Sequence, residues 1–509
     1  MGVGRAHSVA LLGLDGALVE IEADTARGLP AFVLVGLPDT ALGEAKARVR
    51  SAIGNTEFDF PAGRVTINLS PASLPKTGAA FDLGIALALL AAEGLVDPAS
   101  VAGVVHLGEL GLDGRMRPSR GVLPMVLAAE RAGFDTVLVP AGNADEAALV
   151  PGMRVVSVAS LRDAAIWHGA ELEHLEVEPL LPAPAPDAEP ELGDLADVVG
   201  NRDAVEAVQV AAAGGHHMFL LGPPGAGKTM IAARLPGILP DLDERAALEV
   251  SSIRSLAGIP VGRSLATRPP LEAPHHSASS AAIVGGGSGV IRPGAAARAA
   301  HGILFLDEAP EFAPTALDSL RQPLESGVIT ISRVSATASF PARFQLVLAA
   351  NPCPCGNAGV RDAECTCTPF ARRRYLGRLS GPLLDRVDIQ LDVPRVTAAQ
   401  LRMAAEAPVT TSDAARARVL EARARTAARL AGAPWRLNAH APGTWLRTDG
   451  APHPGSTASL DRALERGALT MRGYDRVLRI AWTLADLDGV DRPGLEQIGR
   501  ALYLRKAAT

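Results

Sequence analysis

One stretch, "MFLLGPPGAGKTM" at 218–230, constrains the fold of this chain more than any other. Four apolar residues run into a Gly-rich turn and a helix start, matching G-x-x-x-x-G-K-[ST] with Gly222, Gly227, Lys228 and Thr229 at the fixed positions. The glycines let backbone N–H groups curl around phosphates without Cβ clashes, and the helix N-terminus adds positive potential. The pattern therefore predicts that Gly222, Pro223, Pro224, Gly225, Ala226, Gly227, Lys228 and Thr229 cradle ATP. Lys228 is expected to reach the β- and γ-phosphates, and Thr229 to offer its hydroxyl to Mg²⁺.

A strand that ends this way belongs in a parallel sheet covered on both faces, whose members read as near-continuous apolar runs. Two further runs fit, "GILFLDE" (302–308) and "FQLVLAAN" (344–351). The first ends in Asp307, expected to hold Mg²⁺, and Glu308, expected to orient and polarise the attacking water. The second ends in Asn351, expected near the γ-phosphate, where its amide helps position that water. Acids at the C-terminal edge of parallel strands sit where such sheets bind ligands. A hydrolysing ATPase follows.

A chain of 509 residues is too long for one core. Residues 1–170 alternate short β-rich runs ("FVLVGLP", "RVTINLS", "TVLVP", "VVSV") with Ala/Leu helical stretches and read as an α+β domain. Residues 171–196 are dense in Pro and acid and read as an extended linker. Residues 197–393 hold the α/β core and 394–509 a small helical domain, irregular around 431–457. Its helix "ARARVLEARARTAARLAG" carries five arginines and one Glu, which reads as a solvated face. The net charge of −6 confines any nucleic-acid contact to a groove or pore. No run of about 18 apolar residues occurs, so no membrane span is expected. The start "MGVGRAHSVALLGLDG" does not read as a signal peptide, and a cytoplasmic protein is expected.

The two C-terminal segments resemble an AAA+ ATPase of the magnesium-chelatase-like group, the YifB/ComM family. The matching stretches are "GPPGAGKT", "EAPHHSASSAAIVGGGSGVIRPGAAARAAHGILFLDEAPEF", "ANPCPCG", "CTCTP", "SGPLLDRVDIQLDV" and "RGYDRVLRIAWTLADL". With the N-terminal domain, the likeness covers essentially the whole chain. The fold it implies is α/β: an AAA+ P-loop NTPase core with a parallel sheet, an N-terminal α+β Lon-protease-like (S5-like) domain, and a C-terminal helical lid. The resemblance also implies a homo-oligomer, a hexameric ring, with Asn351 as sensor 1. Arg386 of "LLDRVD" would be the arginine finger reaching a neighbour's ATP, and Arg472 of "MRGYDR" would be sensor 2. Arg372, Arg373, Arg374 and Arg378 are competing finger candidates. The implied work is ATP-driven motion on DNA, such as branch migration in recombination or natural transformation. The alternative is a magnesium-chelatase-like remodeller of a protein or cofactor-inserting partner.

Three features remain. All four cysteines, Cys353, Cys355, Cys365 and Cys367, follow Asn351 in the pattern C-x-C-x₉-C-x-C. They fit a closed structural Zn²⁺ site, with a metal-free reduced loop or a redox pair as rival readings. A Gly-rich loop, "SSAAIVGGGSGVIRPG", and a hairpin, "VITISRVSATASF", supply Arg292 and Arg333 as candidates for touching a DNA backbone in the pore. Neighbouring His275, His276 and His301 read as structural. In the Lon-like domain, Ala80 stands where a Ser nucleophile would, so no peptidase activity is expected. Lys76 and Asp82 lie nearby without an assigned role.

Overall fold

In a computed structural model of the chain, the described residues are 2–36, 44–76, 78–181, 192–287, 291–332, 337–359, 364–405 and 409–505. Five parallel strands carry the P-loop, in the order Leu271–Glu272, Ile303–Leu306, Gln345–Ala350, Met218–Leu221, Ile389–Asp392. Every residue of the three central strands is buried, as their unbroken apolar runs predict. The P-loop strand lies between strands that come later in the chain. It thus marks the switch point where ligands bind in open α/β sheets. Gly222 leaves this strand so close to the last one that a Cβ would lie 2.1 Å from the Val393 carbonyl oxygen. Helix Lys228–Ile238 then starts from Gly227 at φ +89°.

The N-terminal part folds on a seven-stranded mixed sheet. Its strand order is Ala31–Val35, Arg64–Ser70, Asp15–Ala26, Gly4–Leu12, Val105–His106, Thr136–Pro140, Arg154–Val158. Four of these strands match the β-rich runs of the sequence. The central hairpin, Gly4–Leu12 with Asp15–Ala26, does not announce itself, because it is built largely from Ala, Gly and acids rather than β-branched residues. Its register pairs Leu12 with Asp15, so Gly13 and Leu14 make a two-residue turn. Helix Asp82–Ala92, every residue of it buried, packs across these two strands.

This hairpin also docks on the ATPase part. Gly13 bridges Ser339, and Leu11 and Leu14 pack into the apolar cluster around Phe340. Beside it, helix Val122–Arg131 lies on helix Glu244–Ala257, and the Gly121 N–H donates to the Ser255 carbonyl at 3.1 Å.

The C-terminal helices include Ser412–Arg429, Ala458–Glu465, Met471–Asp488 and Leu495–Tyr503. The arginines of the first do not form a solvated face. Arg423 donates to the Ala212 carbonyl at 3.0 Å, satisfying an acceptor in the last turn of helix Arg202–Gly214. Arg429 bonds Asp486 and Asn438 and lies 4.1 Å over the Trp482 ring, while Arg418 bonds Gln209 at 3.2 Å. The helix is clamped between the core and helix Met471–Asp488, and these partners draw its cations inward.

The described residues of the Gly-rich segment hold regular structure on both sides of 288–290. Ser279 caps a short helix, Ser280–Val284, whose Ile283 is buried, and Gly285–Gly286 pairs with Arg292–Pro293. The predicted hairpin is present as Val328–Ser332 against Thr337–Pro341, with Ser332 opposite Thr337.

Candidate nucleotide site

The sheet delivers its polar residues one step beyond the strand ends. Lys228, buried at the start of its helix, donates to the carbonyls of Gly222 at 2.6 Å and Pro223 at 3.0 Å, and to Asn351 Oδ1 at 3.1 Å. Burial pushes the Lys228 ammonium below its ordinary value, against the pull of Asp307 and Glu308. Thr229 Oγ1 donates to Asp307 Oδ2 at 2.6 Å. A hydroxyl and a carboxylate this close, all hard oxygen donors, suit Mg²⁺. Asp307 Oδ1 in turn accepts from the Glu308 N–H at 2.9 Å, and the Glu308 side chain is exposed beside the loop.

Several residues here carry no clear signal in the sequence. His276 Nδ1 lies 3.4 Å from Glu308 Oε2, so this histidine meets the acid expected to handle water instead of merely packing. His275 bonds Ser277 at 2.8 Å, and His301 bonds Glu249 at 2.5 Å. A cavity of about 250 Å³ opens behind the P-loop between Gly200–Ala204, Asp392–Pro394 and Met403. Asn201 ties its wall to the loop through the Ala226 carbonyl at 3.2 Å, and the "VVGNRDA" turn before helix Arg202–Gly214 was its one available cue. Arg395 bonds the Pro224 carbonyl at 3.1 Å.

The two arginines implied by family resemblance stand together elsewhere. Arg386 bonds Glu325 and the Pro382 carbonyl of its own chain. Arg472 is exposed, 3.9 Å from the carboxylate of Asp385, the residue before Arg386. Arg476, one turn further along the same helix, donates to the Arg386 carbonyl at 3.1 Å and to Asp388. Burial works to raise the Asp388 carboxyl, but His216 and Arg476 hold it well below the usual range. Among the rival fingers, Arg378 bonds the Pro310 carbonyl at 3.0 Å and Glu311 at 3.2 Å, beside its own Asp307–Glu308 turn. Arg373 and Arg374 are exposed, and Arg372 is half-buried.

The four cysteines converge, with all sulfurs within 4.8 Å of one another. Cys353 Sγ is 3.3 Å from Cys355 Sγ and 3.7 Å from Cys365 Sγ, and Cys355 to Cys365 is 3.6 Å. A tetrahedron with Zn–S bonds of about 2.3 Å has edges of about 3.8 Å, so the set fits zinc. The Ala358 N–H donates to Cys353 Sγ at 3.3 Å, support a thiolate needs. Arg292 is exposed at the edge of its ladder, and Arg333 lies outside the described residues. Where Gly285 faces the hairpin, a Cβ would lie 2.9 Å from Ile331 Cδ1, so the two insertions pack as one unit. In the N-terminal part, Lys76 is wholly buried and bonds the Leu69 carbonyl at 3.0 Å, while Asp82 takes Arg48 at 2.6 Å. Ala80 is buried in the apolar cluster that includes Val9, Val105 and Leu107.

A Gly-rich loop at the switch point, flanked by strands that bring an acid pair and an amide beside its lysine and threonine, defines the class: an AAA+ P-loop ATPase fold. Sequence comparison narrows it, and the chain belongs to the YifB/ComM family of magnesium-chelatase-like AAA+ proteins. The family "Magnesium chelatase, subunit ChlI" matches residues 194–401, "Subunit ChlI of Mg-chelatase" 21–143, and "Magnesium chelatase, subunit ChlI C-terminal" 409–505. An uncharacterized protein of Mycobacterium tuberculosis is 49% identical over 509 residues, covering 99% of each chain. Competence protein ComM of Haemophilus influenzae is 39% identical over 99% of this chain and 98% of its own. YifB of Escherichia coli is 38% identical over 96% and 94%. A partial likeness to Lon protease of Mycolicibacterium smegmatis, 31% identical, covers 33% of this chain and 23% of that protein.

Proposed function

We propose that this protein is a cytoplasmic, ATP-hydrolysing hexameric motor that moves DNA through a central pore, in the manner of ComM-like branch migration. The observation that carries the ATPase reading is the joint geometry of Lys228, Thr229, Asp307 and Asn351 at the switch point. On this reading the adenine base occupies the cavity beside Asn201, Lys228 and Mg²⁺ hold the β- and γ-phosphates, and Glu308 polarises the attacking water. Arg386 of one subunit, released from Glu325, completes the site of the next, with Arg472 acting from the lid. The chain divides at 1–170, 171–196, 197–393 and 394–509. Ala80 has no hydroxyl to act as a nucleophile, so peptidase activity is no part of the proposal. Cys353, Cys355, Cys365 and Cys367 hold a structural Zn²⁺ with no open position.

DNA as the track is supported by the packed pair of insertions, which presents the exposed Arg292; Arg333, the second candidate, lies outside the described residues. Among the described residues, no helix is long and apolar enough to cross a membrane. The matches to magnesium-chelatase subunits favour the second reading, a remodeller of a protein partner. ATP turnover with and without single-stranded and four-way DNA, at two salt concentrations, separates the two. The expected result is stimulation by DNA that fades with salt. Turnover indifferent to DNA and raised by a protein partner would decide for the remodeller.

A further inference from the structure

Between Asn351 and the arginines at 372–386 the chain detours through its four cysteines, and that detour touches the nucleotide site at three points. Cys353 follows Asn351 by two residues, and Asn351 Oδ1 is bonded to Lys228. Gly356 turns at φ +79°, and a Cβ there would lie 2.5 Å from Cδ and 2.6 Å from Cγ of Pro224, so the cysteine turn rests directly on the P-loop. Tyr375, on the helix Pro369–Leu376 that follows, faces the Asn351 backbone, and burial pushes its phenol up to about 12. Of the four cysteines only Cys353 is fully buried, and the rest of the turn is Pro, Gly, Asn and Ala. A segment this small has no core of its own to hold such contacts, whereas a four-thiolate metal site supplies the missing folding energy.

We infer that zinc bound by Cys353, Cys355, Cys365 and Cys367 is a positioning element of the ATP site, holding Gly356 against Pro224 and setting Asn351, so that hydrolysis rather than nucleotide binding depends on the metal. This rests on the zinc reading above. Held by the four thiolates, the metal would order the backbone that leads from Asn351 and the turn that rests on Pro224. Removing it loosens Asn351 and the crown of the loop, while the loop glycines and Lys228 continue to bind phosphate.

The test uses the full chain, stripped with a mercurial thiol reagent and chelator, then reduced and resupplied with zinc. Metal content, affinity for a fluorescent ATP analogue and single-turnover hydrolysis are measured at each stage. The expected result is about one zinc per chain as purified, with hydrolysis roughly ten- to a hundredfold slower after stripping, unchanged nucleotide affinity and recovery with zinc. Metal-bearing protein that hydrolyses at full rate after stripping overturns the inference and leaves the zinc reading standing. Protein that carries no metal overturns both. Equal losses of affinity and rate also overturn it, since they signal general unfolding. Pro224→Ala supplies the second arm, removing the contact and sparing the thiolates. Its cobalt-substituted form should keep the thiolate charge-transfer band, and stripping zinc from this variant should cost distinctly less rate than stripping the unmutated chain, the remaining loss passing through Asn351. A full additional loss would show that the metal does not act through Pro224.

Discussion

Glu308 adopts φ +51°, a left-handed backbone that a residue with a Cβ holds at a cost of order 1 kcal/mol. Asp307 sustains it by accepting the Glu308 N–H, and the turn sets the carboxylate beside His276. Glu308→Gln keeps the size of the side chain and removes the base. ATP should still bind while single-turnover hydrolysis falls about a hundredfold or more, and retained turnover would remove Glu308 from that role. The P-loop and the Asp307–Glu308 pair were legible in the sequence because their chemistry demands fixed local spacing. The approach of His276 to Glu308 was not, because a histidine in a loop fits many surroundings and only the folded sheet edge chooses among them.

Elements follow the same division. The buried parallel strands declared themselves through unbroken apolar runs, while the N-terminal hairpin of Ala and Gly did not. The inward turn of the arginines of helix Ser412–Arg429 is invisible in the sequence because their partners, Ala212 and Asp486, are remote along the chain. One buried pair in the N-terminal part carries a measurable consequence. His106 and His168 meet at 3.0 Å through their Nε2 atoms, with Ser100 on His168 Nδ1 at 2.8 Å. Burial lowers both, His168 to about 4. The unfolded chain therefore binds more protons than the folded one between about pH 6.5 and 4. Stability of this part is fully present above that window and falls as pH drops through it, by about 3 kcal/mol for His168 alone. Denaturant unfolding followed through Trp167, whose ring lies 4.6 Å from His168, reads this out. A flat profile would mean that the pair is not neutral when folded.

For the whole molecule, Arg386 decides whether turnover belongs to a chain or to an assembly. Arg386→Ala should leave nucleotide affinity intact and slow hydrolysis by about three orders of magnitude. Unmutated protein should lose specific activity on dilution, and mixtures with the variant should lose more than their share. Activity that stays proportional to concentration in a protein that remains monomeric would refute hydrolysis at subunit boundaries. Nothing in the sequence announced how the N-terminal sheet would be fastened to the rest, since the fastening combines a bridge from Gly13 to Ser339 beside two leucines with the packing of helix Val122–Arg131 on helix Glu244–Ala257, all between residues remote in sequence. That bridge shields one margin of a two-stranded ribbon. Any side chain at Gly13 (φ +70°), whose Cβ would lie 2.6 Å from the Ser339 carbonyl oxygen, would push the turn away and bare that margin's amides and carbonyls, an invitation to adhere to other copies, so the opening turn doubles as a guard against clumping.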